Sequence, residues 1–105
     1  MHDELTKALE DSSPSVRVAA AEALGRYGTE EDLERALGLL IRHADSEANG
    51  SYVAMLALNA ISALGKKASP RKEQIVSLPA VDPNSPARVN REYATNLINR
   101  LKETL

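Results

Sequence analysis

The chain has no cysteine, no tryptophan and no phenylalanine, and three tyrosines are its only aromatics. Without cysteine there is no disulfide framework, no thiolate metal site and no cysteine nucleophile. A sizeable organic cofactor usually leans on aromatic walls, and few residues here can supply them, so no cofactor is expected. No apolar run approaches the roughly 20 residues that a membrane span needs, so no membrane partner is expected. Neither charge dominates: 13 Lys and Arg stand against 15 Asp and Glu, a net charge of −2. A nucleic-acid binder usually carries a basic stripe; none shows, and no nucleic-acid partner is expected. The amino terminus, Met1-His2-Asp3-Glu4-Leu5, has no apolar stretch of the secretory kind.

What is present is a repeat. Val16, Ala20, Ala23, Leu24, Tyr27 and Gly28 recur 37 positions later as Val53, Ala57, Ala60, Ile61, Leu64 and Gly65. A period of that length built from Ala and Leu marks stacked helix pairs, which bury one continuous core between neighbours. Small side chains let helices approach closely, which suits thin layers. The 105 residues suffice for a single domain, 1–105, with a modest core.

Helical spacing can be followed along most of the chain. Leu5, Ala8 and Leu9 make a short amphipathic segment, expected to be the second helix of a preceding repeat (1–12). Ser13 is placed to cap the next helix, and Pro14 suits its first turn, where no N–H is needed. That helix runs to about Tyr27, with Val16, Ala19, Ala20, Ala23, Leu24 and Tyr27 expected on one buried face and Gly28 as its stop. Thr29-Glu30-Glu31-Asp32 has capping-box form. Leu33, Ala36, Leu37, Leu40, Ile41 and Ala44 follow at helical offsets, with Arg42 and His43 near the end, where cations are favoured. This pair forms repeat 1, residues 13–45. After a polar loop holding Asn49-Gly50, repeat 2 covers 50–79. Its helix to Leu64 is apolar on most sides and is expected to be the central element. Ser69-Pro70 should cap a fifth helix bearing Ile75, Val76 and Leu78, ended by Pro79. A Pro-rich stretch at 79–86 follows. Ser85-Pro86 then opens a terminal half-repeat, 84–105, with Val89, Tyr93, Ala94, Leu97, Ile98 and Leu101 inward. No segment alternates with period two. The expected fold is all-α: antiparallel helix pairs stacked as a short α-solenoid of about six helices.

The two aligned helices, each with a Gly stop and a partner helix, resemble HEAT-type repeats. Asp11-Ser12-Ser13-Pro14-Ser15-Val16-Arg17 resembles the turn that opens such a repeat, and the resemblance implies that Arg17 reaches back to Asp11. Asp82-Pro83-Asn84-Ser85-Pro86-Ala87-Arg88 resembles a looser copy. The middle copy departs from the pattern, with Tyr52-Val53-Ala54 holding no Arg. A narrower likeness involves Val16 to Gly25, Asn49 to Ala60 and Leu64-Gly65-Lys66-Lys67-Ala68. Together these are similar to the helical C-terminal extension of bacterial formylglycine-dependent sulfatases. The catalytic Cys/Ser-x-Pro-x-Arg segment of such enzymes is not here. Ser12-Ser13-Pro14-Ser15-Val16-Arg17 puts its Arg one position late, and it reads as a helix-opening turn.

No residue is singled out as catalytic, cofactor-binding or metal-ligating. His2 and His43, the only histidines, belong to no His-x-x-x-His or His-Glu-x-x-His pattern. Glu30, Glu31 and Asp32 open a helix rather than a calcium loop. Lys66, Lys67, Arg71 and Lys72 form the densest basic cluster and read as a solvated turn. Asn49-Gly50-Ser51 has the glycosylation triplet and reads as a turn. Tyr27, Tyr52 and Tyr93 are expected to bury their rings with the hydroxyls wet. Met55 reads as core filler. Gly25, Gly28 and Gly38 follow no strand and make no phosphate loop.

The expected function is therefore non-catalytic. It is a bracing or protein-interaction module, carried by a larger hydrolase of the sulfatase kind if the narrower likeness holds. The alternative is a free-standing adaptor for a protein or peptide. A small lyase-like enzyme lacks any convincing pair of titratable groups. The partner is the rest of a parent chain or another protein, with a dimer through Leu5, Leu9, Leu97 and Leu101 as a further expectation. Location follows the same fork: periplasmic or secreted with a sulfatase parent, cytoplasmic otherwise.

Overall fold

Pro14 opens a helix because its ring fixes φ and its missing N–H would have no partner there. A computed structural model describes residues 2–45, 49–78 and 88–105, without the side chains of 2, 51 and 88–94. Helix α1 is His2–Ala8, α2 is Pro14–Tyr27, α3 is Glu30–His43 and α4 is Ser51–Leu64. A 3-10 segment, Gly65–Arg71, leads into α5, Lys72–Val76, and α6 is Arg88–Thr104. No strand occurs among the described residues. The expected all-α repeat architecture is the one observed.

Gly28 and Thr29 alone separate α2 from α3, so the two helices run antiparallel and pack along their length. Helix α4 lies against α2, α3 and α6, while α1 packs on α2 and α5 on α6. Leu64 sits over Gly25, so the carboxyl ends of α2 and α4 lie together and those helices are parallel. The shortest dimension of the molecule is 16 Å. Two helix layers about 8–10 Å apart account for it.

The core runs through both layers. Ala20, Ala21 and Leu24 come from α2, and Ala36, Leu37 and Leu40 from α3. Ala57, Leu58 and Ile61 of α4 lie between them and Leu97, Ile98 and Leu101 of α6. Helix α4 is thus the central element, as its composition implies. The repeat offset survives where it matters most: Ala20 and Ala57, and Leu24 and Ile61, are all buried.

Several local expectations need correction. The buried face of α2 is Val18, Ala20, Ala21, Leu24 and Gly25. It is rotated from the expected stripe, leaving Val16 and Ala19 exposed. Ser13 makes no side-chain cap. Instead the Asp11 carboxylate accepts the Ser13 N–H at 2.8 Å, an Asx-type turn. Ser69-Pro70 lies inside the 3-10 segment and opens nothing; the Ser69 hydroxyl donates to the Leu105 carbonyl at 3.3 Å. Gly28 is not left-handed, with φ −88°; it is required by crowding. A Cβ there would stand 2.6 Å from the Leu24 carbonyl oxygen and from Asp32. Gly65, at φ 60°, does use the left-handed region. The Pro-rich stretch from Pro79, the helix-opening Ser85-Pro86 and the Asp82 to Ala87 copy of the turn lie outside the described residues.

Candidate interaction surface

The turn that resembles a repeat opening is held by its arginine. Arg17 Nη1 donates to the main-chain oxygen of Asp11 at 2.7 Å. The partner is thus the carbonyl, while the Asp11 carboxylate accepts the Ser13 N–H. Arg17 Nε also donates to His43 Nε2 at 3.1 Å. His43 Nδ1 therefore donates to the Leu39 carbonyl, 2.8 Å away. His43 thus ties the end of α3 to the start of α2, a structural use of both ring nitrogens. At the position 37 residues after Arg17 stands Ala54, fully buried against the core, so this tie has no counterpart in the middle copy.

The acids at 30–32 begin α3. The Thr29 hydroxyl accepts the Asp32 N–H at 3.2 Å, and the Asp32 carboxylate accepts the Thr29 N–H at 2.9 Å. This is the reciprocal box that the spacing predicts. Among the described residues Asp32 is the one buried charged or polar side chain, 5% exposed. No group of three or more His, Asp and Glu among the described residues is placed to hold a metal ion.

The basic cluster is divided among structural tasks. Lys67 Nζ donates to the Arg26 carbonyl at 2.9 Å and to that of Gly25 at 3.4 Å. It satisfies orphan carbonyls at the end of α2 from the following repeat. Arg71 pairs with Glu34 of α3 at 2.8 Å and donates to Gln74. Lys66 stays exposed. The Asn49 amide donates to the Arg42 and Asp45 carbonyls, closing the end of α3.

The tyrosine expectation is overturned where it can be judged. Tyr27 is 80% exposed and Tyr52 is 66% exposed, with Val16 at 41%. The Arg26 guanidinium lies 5.5 Å from the Tyr27 ring centre, and that contact covers one face only. Tyr93 lies outside the described side chains. Met55 is half-buried. Leu9, Leu97 and Leu101 are committed to the chain's own core, so of the four leucines expected to support a dimer only Leu5 remains partly open.

Two depressions flank α1. Between α1 and α2 runs an apolar groove of about 370 Å³ lined by Leu5, Ala8, Ser15, Val16, Ala19 and Ala20. Between α1 and α3 lies a cleft of about 350 Å³. Lys7, Glu10, Arg35 and Arg42 rim it, over Leu9 and Leu39. Sequence reasoning missed this cleft. Arg35 and Arg42 lie two turns apart on α3, a readable spacing, but nothing local brings Lys7 beside them. No helix among the described residues is long and apolar enough to cross a membrane.

A family model described as HEAT repeats matches residues 2–62. The match begins in α1 and ends near the close of α4, so it covers the first helix pair and the central helix. No curated protein and no solved structure matches the chain.

Proposed function

We propose, from the premise that this chain belongs to the HEAT-repeat family, that it is a non-catalytic module which binds or braces another protein surface. Stacked helix pairs expose long, rigid faces, and such faces serve as protein-binding surfaces. The observation that carries the reading is the exposure of three large apolar side chains in the α2/α4 layer, Val16 near the start of α2, Tyr27 at its end and Tyr52 near the start of α4. Tyrosine is enriched at protein interfaces because it offers a large area at small entropic cost. We divide the chain as the sequence does: 1–12, 13–45, 50–79 and 84–105.

The likeness to sulfatase extensions supports a narrower version, in which the module lies against a hydrolase in the same polypeptide. That version rests on sequence alone, and the chemistry of any parent would reside elsewhere. An upstream Cys/Ser-x-Pro-x-Arg segment in the open reading frame is its test; an upstream frame without one ends it.

The general reading is tested by photo-crosslinking. A benzophenone amino acid replaces Tyr52 in one sample, Tyr27 in a second and the exposed Glu103 in a third. A discrete product through Tyr52 or Tyr27, absent through Glu103, is expected in lysate of the source organism. Products equal at all three positions, or none at any, would refute it.

A further inference from the structure

We infer that the cleft between α1 and α3 binds an acidic, extended polypeptide segment of the partner protein. The inference rests on the interaction-module reading above and names the chemistry of what is bound. Lys7, Arg35 and Arg42 rim the cleft against a single carboxylate, Glu10. The chain as a whole carries a net charge of −2, so this local excess of cations runs against the average. Three other arginines are used within the fold. Arg17 holds the opening turn, Arg26 meets Glu22 and Arg71 meets Glu34. Lys7, Arg35 and Arg42 form no such pair among the described residues, and their side chains are exposed.

The dimensions select an extended chain. Arg35 and Arg42 are seven residues apart on one helix, so they stand about 10 Å apart along its axis at about 1.5 Å per residue. A polyproline-type strand rises about 3.1 Å per residue with three residues per turn, which puts every third side chain on one side at about 9 Å. Acidic residues at i and i+3 of such a segment therefore meet both guanidinium groups, which suit carboxylates in bidentate geometry. Leu9 and Leu39, both almost fully buried, form the floor. An apolar side chain between the acids can rest there. The cleft's 350 Å³ holds a few residues of such a strand, not a folded domain.

The test is fluorescence anisotropy with a labelled peptide of four Glu-Leu-Pro repeats, compared with the Gln-Leu-Pro version. The whole chain should bind the Glu peptide at least tenfold more tightly than the Gln peptide, and salt should weaken it. Arg35→Glu with Arg42→Glu should lose at least tenfold, while Arg35→Lys with Arg42→Lys should lose much less. Lys66→Glu with Lys102→Glu, on exposed positions elsewhere, should bind as the wild type does. Circular dichroism on each variant checks folding. Failure of the wild type to prefer the Glu peptide overturns the inference, as does equal loss in both charge reversals. An oligothymidylate that competes more tightly than the peptide for the same residues overturns it in favour of a nucleic acid. If a partner crosslinks through Tyr52 and the Arg35→Glu, Arg42→Glu chain still captures it undiminished, the cleft assignment falls and the interaction module stands.

Discussion

Replacing Gly28 with alanine should be among the most damaging single-methyl changes available in this chain. The reason is steric rather than torsional. A φ of −88° is open to any residue, so alanine has no backbone objection to the site. The added carbon, however, would lie 2.6 Å from the Leu24 carbonyl oxygen and 2.6 Å from both Cβ and Oδ2 of Asp32. The carbonyl belongs to α2 and cannot swing aside without disturbing the last helical turn. Asp32 can move only by giving up the Thr29 N–H, held at 2.9 Å. Losing a cap costs about 0.5–2 kcal/mol, and overpacking a fixed site about 1–3 kcal/mol more. The sum is about 1.5–5 kcal/mol, and at about 4–8 °C per kcal/mol for a domain of this size Tm should fall by at least about 6 °C.

Gly38 is the internal control. A Cβ there would meet nothing within 4 Å, and the residue lies in mid-α3. Gly38→Ala should stabilise the chain by up to about 1 kcal/mol through helix propensity. Urea unfolding followed by far-ultraviolet circular dichroism measures both variants, with the slope checked for constancy. A Gly28→Ala chain within about 0.5 kcal/mol of wild type would refute the crowding argument. So would a Gly38→Ala chain as unstable as Gly28→Ala, because a Cβ has open space at Gly38 and none at Gly28.

Three further outcomes are expected in the same assay. Gly65→Ala should cost about 1–3 kcal/mol, because φ of 60° with ψ of −133° suits only glycine; an unchanged midpoint would count against that geometry. Lys67→Met should cost about 1 kcal/mol by stripping the Arg26 and Gly25 carbonyls of their donor, whereas Lys66→Met at the exposed neighbour should stay within about 0.5 kcal/mol. Ile61→Ala should cost about 2–5 kcal/mol, since Ile61 is fully buried in the central helix; a smaller loss would mean that α4 is not the centre of the core.

Much of the fold was readable because its strongest signals are local. The α3 face, the capping box at Thr29 and the central place of α4 in the core follow from residues within a few turns of one another. The buried face of α2 departs from its periodicity for a physical reason. Ala19, Ala20, Ala21 and Ala23 are small and apolar on several sides, so periodicity alone fixes no single stripe and packing chooses the rotation. The structural ties of Lys67 and Arg71 span 41 and 37 residues, and no local pattern announces them. The α1–α3 cleft fails for the same reason: its arginines share one helix, but the lysine that joins them comes from another.

The position where the repeat breaks is the most informative about function. Tyr27 and Leu64 are equivalent by the 37-residue offset, yet one is 80% exposed and the other 6%. Leu64 has an earlier layer to rest on, and Gly25 in that layer supplies the gap for it. Among the described residues nothing comparable covers Tyr27: α1 packs on α2 and leaves its ring 80% exposed. The same repeat position is therefore core in one layer and surface in the next. Side chains that are internal in one layer are thus available in another, and a surface offering an exposed aromatic ring, an apolar groove and a basic cleft is suited to meeting another chain.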